Sequence, residues 1–286
     1  MIIGREQPWR QIITAQSTLN RDASDKAPIL CDLDGVIWLM HEPIDGSVEG
    51  IAALRKAGHR VLFVTNNSSA TSAAQEDFLS NIGIEASKDV CTSAHAAGTL
   101  LRAGERVLVA GGLGVVESVL VAGAVVVGRT DDGESGKNDV DIETVIVGYH
   151  NTFDYAGMTR AAAAVRSGAR LIATNDDATY PTPAGPIPGG GSILAAIVTA
   201  SGVQPVIAGK PHAPMGDYVR LVLQRDDLSQ AWMVGDRDST DGAFARALGC
   251  RFALVLSGVS DDHETSAAKP NLVCLNLFEF ATHILK

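Results

Sequence analysis

The chain has 286 residues, of which 46% are hydrophobic and 20% are charged, and its formal net charge is -10. This length suggests one large domain or two, and the composition excludes a globally disordered chain. The acidic balance argues against a general nucleic-acid binder, which needs a basic face, and against electrostatic docking on an anionic membrane.

The sequence gives no sign of membrane insertion, secretion or structural cysteine chemistry. Its longest apolar stretches, such as Ile193–Ala200, are far shorter than the roughly 20 residues of a spanning helix. The N-terminus lacks the basic and apolar regions of a signal peptide, so we expect a cytoplasmic protein. The cysteines, Cys31, Cys91, Cys250 and Cys274, lack CxxC spacing, which predicts reduced thiols rather than a zinc site or disulfides.

Short apolar runs alternate with helical patterns along the chain. Residues 1–27 are polar and aperiodic, and we interpret them as an N-terminal arm. The predicted strands are Ile29–Leu33, Arg60–Val64, Val107–Ala110, Ala124–Val127, Val145–Gly148, Leu171–Thr174, Trp232–Gly235, Phe252–Leu256 and Leu272–Leu275. Helical patterns such as Tyr155–Ser167 lie between them, and the polar segment Thr130–Asp141 is predicted to be a loop. This alternation predicts an α/β chain with a mostly parallel sheet.

Two carboxylates, Asp32 and Asp34, lie at the end of the first predicted strand. In open α/β sheets, ligands bind outside the carboxyl ends of the strands, so both side chains can serve one site. Their mutual repulsion is costly unless a cation or a shared proton is present. An acidic turn that caps a helix is the alternative interpretation, and the pair alone does not decide between the two.

A second polar segment follows the strand Arg60–Val64. Thr65, Asn66 and Asn67 form a cluster of one hydroxyl and two amides just before a helical pattern. Such a turn offers backbone N–H groups and a hydroxyl to an anion. A plain helix cap is the alternative interpretation of this segment.

Two later segments add a lysine and a second group of acids. Lys210 lies between a glycine and a proline, and Asp236 and Asp241 lie just after the strand Trp232–Gly235. Each segment has a plain alternative, namely a solvated lysine and a polar turn. Together with the earlier segments they supply a carboxylate nucleophile, an acid, an anion cradle and a cation site, which phosphoryl transfer requires.

The order of the segments DLDGV, TNNS, GKP and VGDRDSTD resembles the haloacid-dehalogenase (HAD) phosphatase superfamily. The similarity is closest to the branch of NagD phosphatase, p-nitrophenylphosphatase, phosphoglycolate phosphatase and pyridoxal phosphatase, and it extends from about Pro28 to the C-terminus. The DRDSTD form resembles actinobacterial glycerol-3-phosphate phosphatases. The resemblance implies an α/β fold with a Rossmann-like core, a parallel sheet and an inserted α/β cap of type C2.

The resemblance also implies how the chain divides into domains. We expect the N-terminal arm over 1–27, a catalytic core over 28–90 and 206–286, and a cap over 91–205. Members of this branch often dimerise through such caps, which implies a homodimer for this chain.

The activity implied by the resemblance is a magnesium-dependent phosphatase of small phosphorylated metabolites, such as glycerol phosphate or phosphoglycolate. Asp32 is expected to attack phosphorus and form an aspartyl-phosphate, and Asp34 to protonate the leaving alkoxide. Mg²⁺ is expected to be held by Asp32, the Asp34 carbonyl and Asp236, while Asp241 orients the site from outside the coordination shell. An acid at Asp34 favours a phosphatase over a dehalogenase, because halide leaves without a proton.

The phosphoryl oxygens have their own expected partners. Thr65, the amide of Asn66 and Lys210 are expected to neutralise them, and Asn67 to support the turn. These groups, with the acids above, complete the expected catalytic core.

Substrate preference is assigned to the predicted cap. The segment from residue 174 to 192 contains Asn175, Asp177 and Tyr180 among prolines that stiffen it, and we expect these three residues to contact the leaving group. At His150 relatives often have an aspartate, and this difference bears on substrate choice rather than on catalysis.

Two functions of other classes are weighed against this one. The segment Gly111–Glu117 is half of a dinucleotide-binding fingerprint, but Glu117 replaces its third glycine and would repel a pyrophosphate. A non-catalytic sensor of phosphorylated ligands on the same fold is the other alternative, and the intact set of Asp32, Asp34, Lys210 and Asp236 argues against it.

Overall fold

The computed structural model describes residues 26–133, 141–180, 182, 184–258 and 269–286. Residues 1–25 of the predicted arm, residues 134–140 of the predicted loop, and Pro181 and Pro183 of the predicted specificity segment lie outside this range. The helices are Ser47–Lys56 (α1), Ser72–Asn81 (α2), Ser93–Gly98 (α3), Leu113–Val121 (α4), Tyr155–Arg166 (α5), Gly190–Ser201 (α6), Ala213–Leu223 (α7), Ala243–Leu248 (α8) and Leu277–Ile284 (α9). A π-helical turn covers Asp238–Gly242.

The described strands fall into two parallel sheets and two short hairpins. They are Ile29–Cys31 (β1), Trp38–Leu39 (β2), Glu42–Pro43 (β3), Val61–Thr65 (β4), Val90–Thr92 (β5), Arg106–Ala110 (β6), Val125–Arg129 (β7), Thr144–Val147 (β8), Arg170–Ala173 (β9), Thr179–Tyr180 (β10), Ile187–Pro188 (β11), Val206–Ile207 (β12), Trp232–Gly235 (β13), Arg251–Val255 (β14) and Leu272–Cys274 (β15). The antiparallel hairpins pair β2 with β3 and β10 with β11.

The first sheet, which we call the core sheet, has the order β15-β14-β13-β1-β4-β5 among the described strands. Strand β1 lies inside it, with Ile29 opposite Trp232 on one side and Val61 on the other. The chain leaves β1 for β4 on one side and later returns to β13 on the other. This reversal of direction creates the crevice where open α/β sheets bind ligands.

Helices bury both faces of the core sheet. Successive side chains of a strand point to opposite faces, so Leu30 packs in one hydrophobic cluster with Met215 of α7, while Cys31 packs in another with Leu54 of α1 and Phe280 of α9. Burial on both faces explains why the central strands are apolar throughout rather than alternating.

The second sheet lies in sequence between β5 and α7 and has the order β12-β9-β8-β6-β7. One face packs against α5 and α6 through Val165 and Ile197. On the other face, Val109 belongs to the same buried cluster as Ala94 of α3 and Leu30 of the core sheet. The two sheets are therefore joined by continuous hydrophobic packing rather than by the chain alone.

The helix ends follow from local sequence. Asp154 caps α5 by accepting a hydrogen bond of 2.7 Å from the N–H of Gly157. Thr71 caps α2 by accepting one of 3.3 Å from the N–H of Ala74. Helix α6 ends at Gly202, whose φ of 75° lies in the left-handed region that favours glycine.

The predicted α/β class, with a parallel core sheet and an inserted α/β unit, is confirmed. The predicted bounds 91 and 205 differ slightly from the sheet memberships, since β5 of the core sheet runs to Thr92 and β12 of the second sheet runs to Ile207. Sequence patterns missed β5, β12 and both hairpins, whose strands have only two or three residues.

Two further expectations concern membrane insertion and the cysteines. No helix in the described part of the chain is long and apolar enough to cross a membrane. The four cysteines are free, as the sequence predicts, and three of them are buried.

Candidate active site

The polar segments predicted at strand ends meet in one cavity at the carboxyl edge of the core sheet. The cavity lies between this edge and the segments that follow β8 and β9 of the second sheet. It is lined by Asp32, Asp34, Thr65, Asn66, Asn67, Tyr149, Asn175, Asp177, Thr179, Tyr180, Gly189, Gly190, Lys210, Asp236, Arg237 and Thr240. Every predicted site residue is in this set except Asp241, which is completely buried behind Lys210.

Lys210 is the central cation of the cavity. Its Nζ lies 2.8 Å from Oδ1 of Asp32 and 2.7 Å from Oδ1 of Asp241. Burial alone would lower the pKa of Lys210, but the carboxylates of Asp241 and Asp32 outweigh burial and raise it above its ordinary value. The ammonium therefore keeps its charge and offsets the two acids beside it.

Asp34 has a different environment from Asp32. The Tyr180 hydroxyl donates a hydrogen bond of 3.1 Å to Oδ1 of Asp34, and Trp38 Nε1 donates one of 3.2 Å to the same oxygen. Burial and the nearby charge of Asp32 raise the pKa of Asp34 to about 6, although both hydrogen bonds oppose this shift. The protonated form of Asp34 is therefore favoured more than in a solvent-exposed aspartate.

The chain turns sharply after Asp34. Gly35 has a φ of 89°, and a Cβ atom at this position would overlap the carboxylate of Asp236. A glycine is needed here both for the left-handed backbone and for the close approach of the acidic loop after β13.

The cavity contains a set of oxygen atoms suited to a divalent cation. Asp32, Asp236 and Asp241 each place a carboxylate oxygen within 4.8 Å of the other two. Mg²⁺ prefers carboxylate oxygens of this kind, so the residues present fit the expected ion. Asp241 also accepts hydrogen bonds from Lys210 and, at 3.3 Å, from the N–H of Arg237, and burial raises its pKa while the Lys210 ammonium opposes that shift.

The turn after β4 is held by hydrogen bonds within and beyond itself. The hydroxyl of Thr65 accepts a bond of 3.0 Å from the N–H of Asn67. The side-chain oxygen of Asn66 accepts one of 2.8 Å from the N–H of Lys210, and its Nδ2 donates to the Lys210 carbonyl at 3.0 Å. The turn and the lysine are therefore fixed to each other by a pair of bonds through one amide.

The predicted specificity residues reach the cavity from the segment after β9. Nδ2 of Asn66 donates a bond of 2.9 Å to Asp177, and Nδ2 of Asn175 donates one of 2.7 Å to the backbone oxygen of Asn66. Tyr180 stacks on Tyr149 with ring centroids 5.9 Å apart, and burial and the charge of Asp34 raise the pKa of its phenol. Asn175 and Asp177 therefore bind the core turn, while Tyr180 binds the acid and also accepts a hydrogen bond of 3.4 Å from Nδ2 of Asn67 in that turn.

Six lining residues were not among the predicted site residues, namely Tyr149, Thr179, Gly189, Gly190, Arg237 and Thr240. Thr179 and the two glycines lie within the predicted specificity segment from residue 174 to 192. Arg237 and Thr240 lie in the acidic segment after β13 and could have been found from it, while Tyr149 directly precedes His150. His150 itself is buried away from the cavity, with Nε2 at 3.4 Å from the hydroxyl of Thr130.

Two family models match the chain. One, described as haloacid dehalogenase-like hydrolase, matches residues 29–124, and the other, described as HAD-hydrolase-like, matches residues 207–280. The two matched ranges contain the carboxyl ends of β1, β4 and β13, where the cavity acids and the turn lie.

Individual relatives extend this similarity over most of the chain. The D-glycerol 3-phosphate phosphatase of Mycobacterium tuberculosis is 35% identical over 247 residues, which cover 85% of this chain and 66% of that protein. Phosphoglycolate phosphatase 2 of Arabidopsis thaliana is 32% identical over 254 residues, which cover 82% of this chain and 83% of that protein. A solved structure of the mycobacterial glycerol phosphate phosphatase in complex with magnesium has a TM-score of 0.77 at 32% identity, covering 88% of this chain and 75% of that one.

The fold, the cavity and these similarities define a hydrolase that has an α/β fold and a carboxylate-rich phosphoryl-transfer site. The chain belongs to the haloacid dehalogenase-like hydrolases. The predicted enzyme class, a phosphoric monoester hydrolase, and the predicted use of Mg²⁺ are confirmed by this membership.

Proposed function

We propose that this chain hydrolyses phosphomonoesters of small metabolites through an aspartyl-phosphate on Asp32, with Mg²⁺ as cofactor. The observation that supports this most directly is the contrast between Asp32 and Asp34. Asp32 is paired with the ammonium of Lys210, and Asp34 is withdrawn from solvent between Tyr180 and Trp38. A nucleophile needs the charged form and an acid needs the protonated form, and the two environments favour these forms respectively.

In the first step, a carboxylate oxygen of Asp32 bonds to phosphorus while the phosphorus–oxygen bond of the ester breaks. The leaving alkoxide takes the proton of Asp34 and departs as an alcohol. Both hydrogen-bond donors to Asp34 use Oδ1, so Oδ2 receives neither of them and carries the proton toward the cavity.

In the second step, Asp34 acts in the opposite sense. Its carboxylate takes a proton from a water molecule whose oxygen bonds to phosphorus, and the bond between phosphorus and Asp32 breaks. Orthophosphate leaves, and both carboxyl groups return to their starting forms.

The phosphoryl oxygens are neutralised by groups fixed beforehand. Thr65, the amide of Asn66 and Lys210 supply the hydroxyl, the N–H and the ammonium, and Asn67 supports the turn. Asp32, the Asp34 carbonyl and Asp236 would hold Mg²⁺, which would supply further charge neutralisation at the phosphoryl group.

Asp241 has a separate task in this proposal. It is completely buried and pairs with Lys210, which keeps the ammonium at a fixed position beside Asp32. We assign it to orientation of Lys210 rather than to direct contact with substrate.

The proposed substrate class is supported by the polar residues that line the cavity and by the relatives named above. Those relatives are phosphatases of glycerol phosphate and phosphoglycolate, both of which have small polar leaving groups. In this chain Tyr180 lies where a leaving group attached to the phosphoryl oxygen beside Asp34 would extend. We assign the choice among leaving groups to Tyr180, with Asn175 and Asp177 holding its segment to the core.

We further propose that the second sheet and its helices form the cap, and that the core continues through β5 before the chain enters it. The strand memberships support a first cap bound between residues 92 and 106 and a second bound near residue 207. We also propose that the chain dimerises through this cap and that it is cytoplasmic.

The test is phosphate release from p-nitrophenyl phosphate by the purified chain, with Mg²⁺ and with an excess of EDTA. We expect release with Mg²⁺, its loss with EDTA, and a raised Mg²⁺ requirement in Asp236→Ala. Undiminished activity after exhaustive chelation would contradict the metal assignment. Tight binding of phosphate esters with no release under any condition would favour the sensor instead.

A further inference from the structure

The loop that joins β4 to α2 is contacted along its length by the second sheet. The N–H of Gly114 donates a bond of 3.2 Å to the carbonyl of Ser69, and Thr174 donates one of 2.9 Å to the hydroxyl of Ser68. A Cβ atom on Gly112 would overlap the carbonyl of Ser69, and one on Gly114 would overlap that of Ala70. The loop therefore packs against Gly111–Glu117, the segment with the partial dinucleotide fingerprint, and leaves no space there for a pyrophosphate.

Glu117 contacts the C-terminal end of this loop, where α2 begins. Its Oε2 accepts a hydrogen bond of 2.8 Å from the N–H of Ser72, and its Oε1 accepts one of 3.0 Å from the hydroxyl of the same residue. Ser72 is the first residue of α2, where backbone N–H groups have no partner within the helix. A carboxylate at this end also interacts favourably with the helix dipole.

Through these two hydrogen bonds, Glu117 links the region of the second sheet to the region of the core sheet. It lies on α4 of the second sheet, whereas Ser72 begins a helix beside the core sheet. Both carboxylate oxygens are used on one residue, so the link fixes a direction as well as a distance. His95 of α3 lies on its other side, with Nε2 at 3.8 Å from Oε2.

The opposite end of the same loop is the turn that faces the cavity. Asn66 is bound there to Lys210 and to Asp177. The seven residues from 66 to 72 thus have one end at the cavity and the other at Glu117, with Gly112, Gly114 and Thr174 pressing on the middle. The conformation of this short loop is therefore set by contacts at both ends and in its middle, and loss of the contact at Ser72 leaves one end unconstrained.

We propose that Glu117 is a positioning residue that sets the conformation of the phosphate-binding turn at Thr65–Asn67 by holding Ser72. This inference rests on the proposed role of that turn in binding the phosphoryl group. Its consequence is that the cap shapes the phosphoryl site directly, in addition to contacting the leaving group. Loss of Glu117 therefore affects every ester alike, unlike loss of a residue that reads the leaving group.

The test compares Glu117→Ala, Ser72→Ala and the double variant with the unaltered chain. We measure kcat/KM on p-nitrophenyl phosphate and on an alkyl phosphate, and the inhibition constant of orthophosphate, which has no leaving group. Glu117→Ala should lower kcat/KM about tenfold on both esters, corresponding to about 1.4 kcal/mol. It should raise the inhibition constant of orthophosphate by a similar factor. Glu117→Gln, which keeps one acceptor oxygen, should give an intermediate loss.

Ser72→Ala removes only the hydroxyl bond, so its loss should be smaller and should vanish when Glu117 is already alanine. Glu105→Ala is the matched control, because Glu105 is a buried glutamate of the second sheet that binds Thr144 and Arg170 away from the loop. It should lower the melting temperature without changing orthophosphate binding.

The outcomes separate the inference from the activity on which it rests. An inactive unaltered chain would count against the proposed function. An active chain in which Glu117→Ala lowers only the melting temperature, as Glu105→Ala does, would overturn the positioning role. Losses that differ between the two esters would likewise overturn it, since they would place Glu117 at the leaving group.

Discussion

Tyr180 and Asp34 are joined by a hydrogen bond of 3.1 Å, in which the phenol donates to Oδ1 of the carboxylate. The bond runs from the hairpin β10–β11 to the carboxyl end of β1, so it connects the leaving-group side of the cavity to the proposed acid. Trp38, four residues after Asp34, donates to the same oxygen. Both side-chain donors therefore bind the same oxygen of Asp34.

Replacement of Asp34 by asparagine should separate substrates by their need for a proton. The amide cannot protonate a leaving group, so hydrolysis of alkyl phosphates should fall by about 10²–10⁴-fold, the range typical of general acids. The phosphorylating step on p-nitrophenyl phosphate should fall much less, because nitrophenolate leaves without a proton. Pre-steady-state release of nitrophenol measures that step, and equal losses on both esters would contradict the acid role.

Replacement of Asp32 by asparagine should abolish turnover, because the amide cannot bond to phosphorus as the carboxylate does. We expect a loss greater than about a thousandfold. The fold should survive, because Asp241 still pairs with the Lys210 ammonium at 2.7 Å. Mass spectrometry of acid-quenched samples should detect a phosphorylated unaltered chain and no phosphorylated variant.

Substantial turnover by correctly folded Asp32→Asn would remove the nucleophile assignment. Asp238→Asn is a matched control for the loss of an acid near the site, because Asp238 is bound by Arg246 at 3.0 Å and does not line the cavity. It should retain most of the activity.

Tyr180 should influence which ester is preferred. Tyr180→Ala removes both the stack on Tyr149 and the bond to Asp34, and should change the preference among natural phosphate esters about tenfold, or roughly 1.4 kcal/mol. Tyr180→Phe keeps the stack and should change it less. Hydrolysis of p-nitrophenyl phosphate should change less than that of natural esters in Tyr180→Ala, and equal proportional losses on all esters would return this residue to a structural role.

Much of the site could be predicted from sequence because its parts lie where apolar strands end. Asp32 and Asp236 each follow a strand directly and Thr65 is the last residue of one, and parallel strands bring such ends to one edge. No local pattern predicts the pairing of Lys210 with Asp241, which are 31 residues apart and meet only because the π-helical turn after β13 points Asp241 inward.

The contact of Glu117 with Ser72 could not be predicted from local sequence either. The position of Glu117 in a partial dinucleotide-binding fingerprint indicated only that it would repel a pyrophosphate. Its partner Ser72 is 45 residues earlier, and the contact depends on how the second sheet packs on the loop after β4. Local patterns define elements and their ends, whereas contacts between distant loops depend on the packing of whole sheets.

The stability of the chain should fall in mild acid because of His95. Burial lowers the pKa of His95 to about 4, and the nearby charge of Glu117 offsets only part of this shift. In the unfolded chain a histidine has a pKa of about 6.5. Between these values the unfolded chain binds a proton that the folded chain does not, so the free energy of unfolding decreases as the pH falls from about 6.5 toward 4.

The size of this effect follows from the difference of about 2.5 pKa units, which corresponds to roughly 3 kcal/mol when fully developed. Urea unfolding at a series of pH values from 4.5 to 7.5 should show it as a difference between the unaltered chain and His95→Gln, because other titrating groups are common to both. His283→Gln, which removes an exposed histidine, is the control and should leave the pH dependence unchanged. Parallel curves for the unaltered chain and His95→Gln would show that His95 does not resist protonation in the folded state.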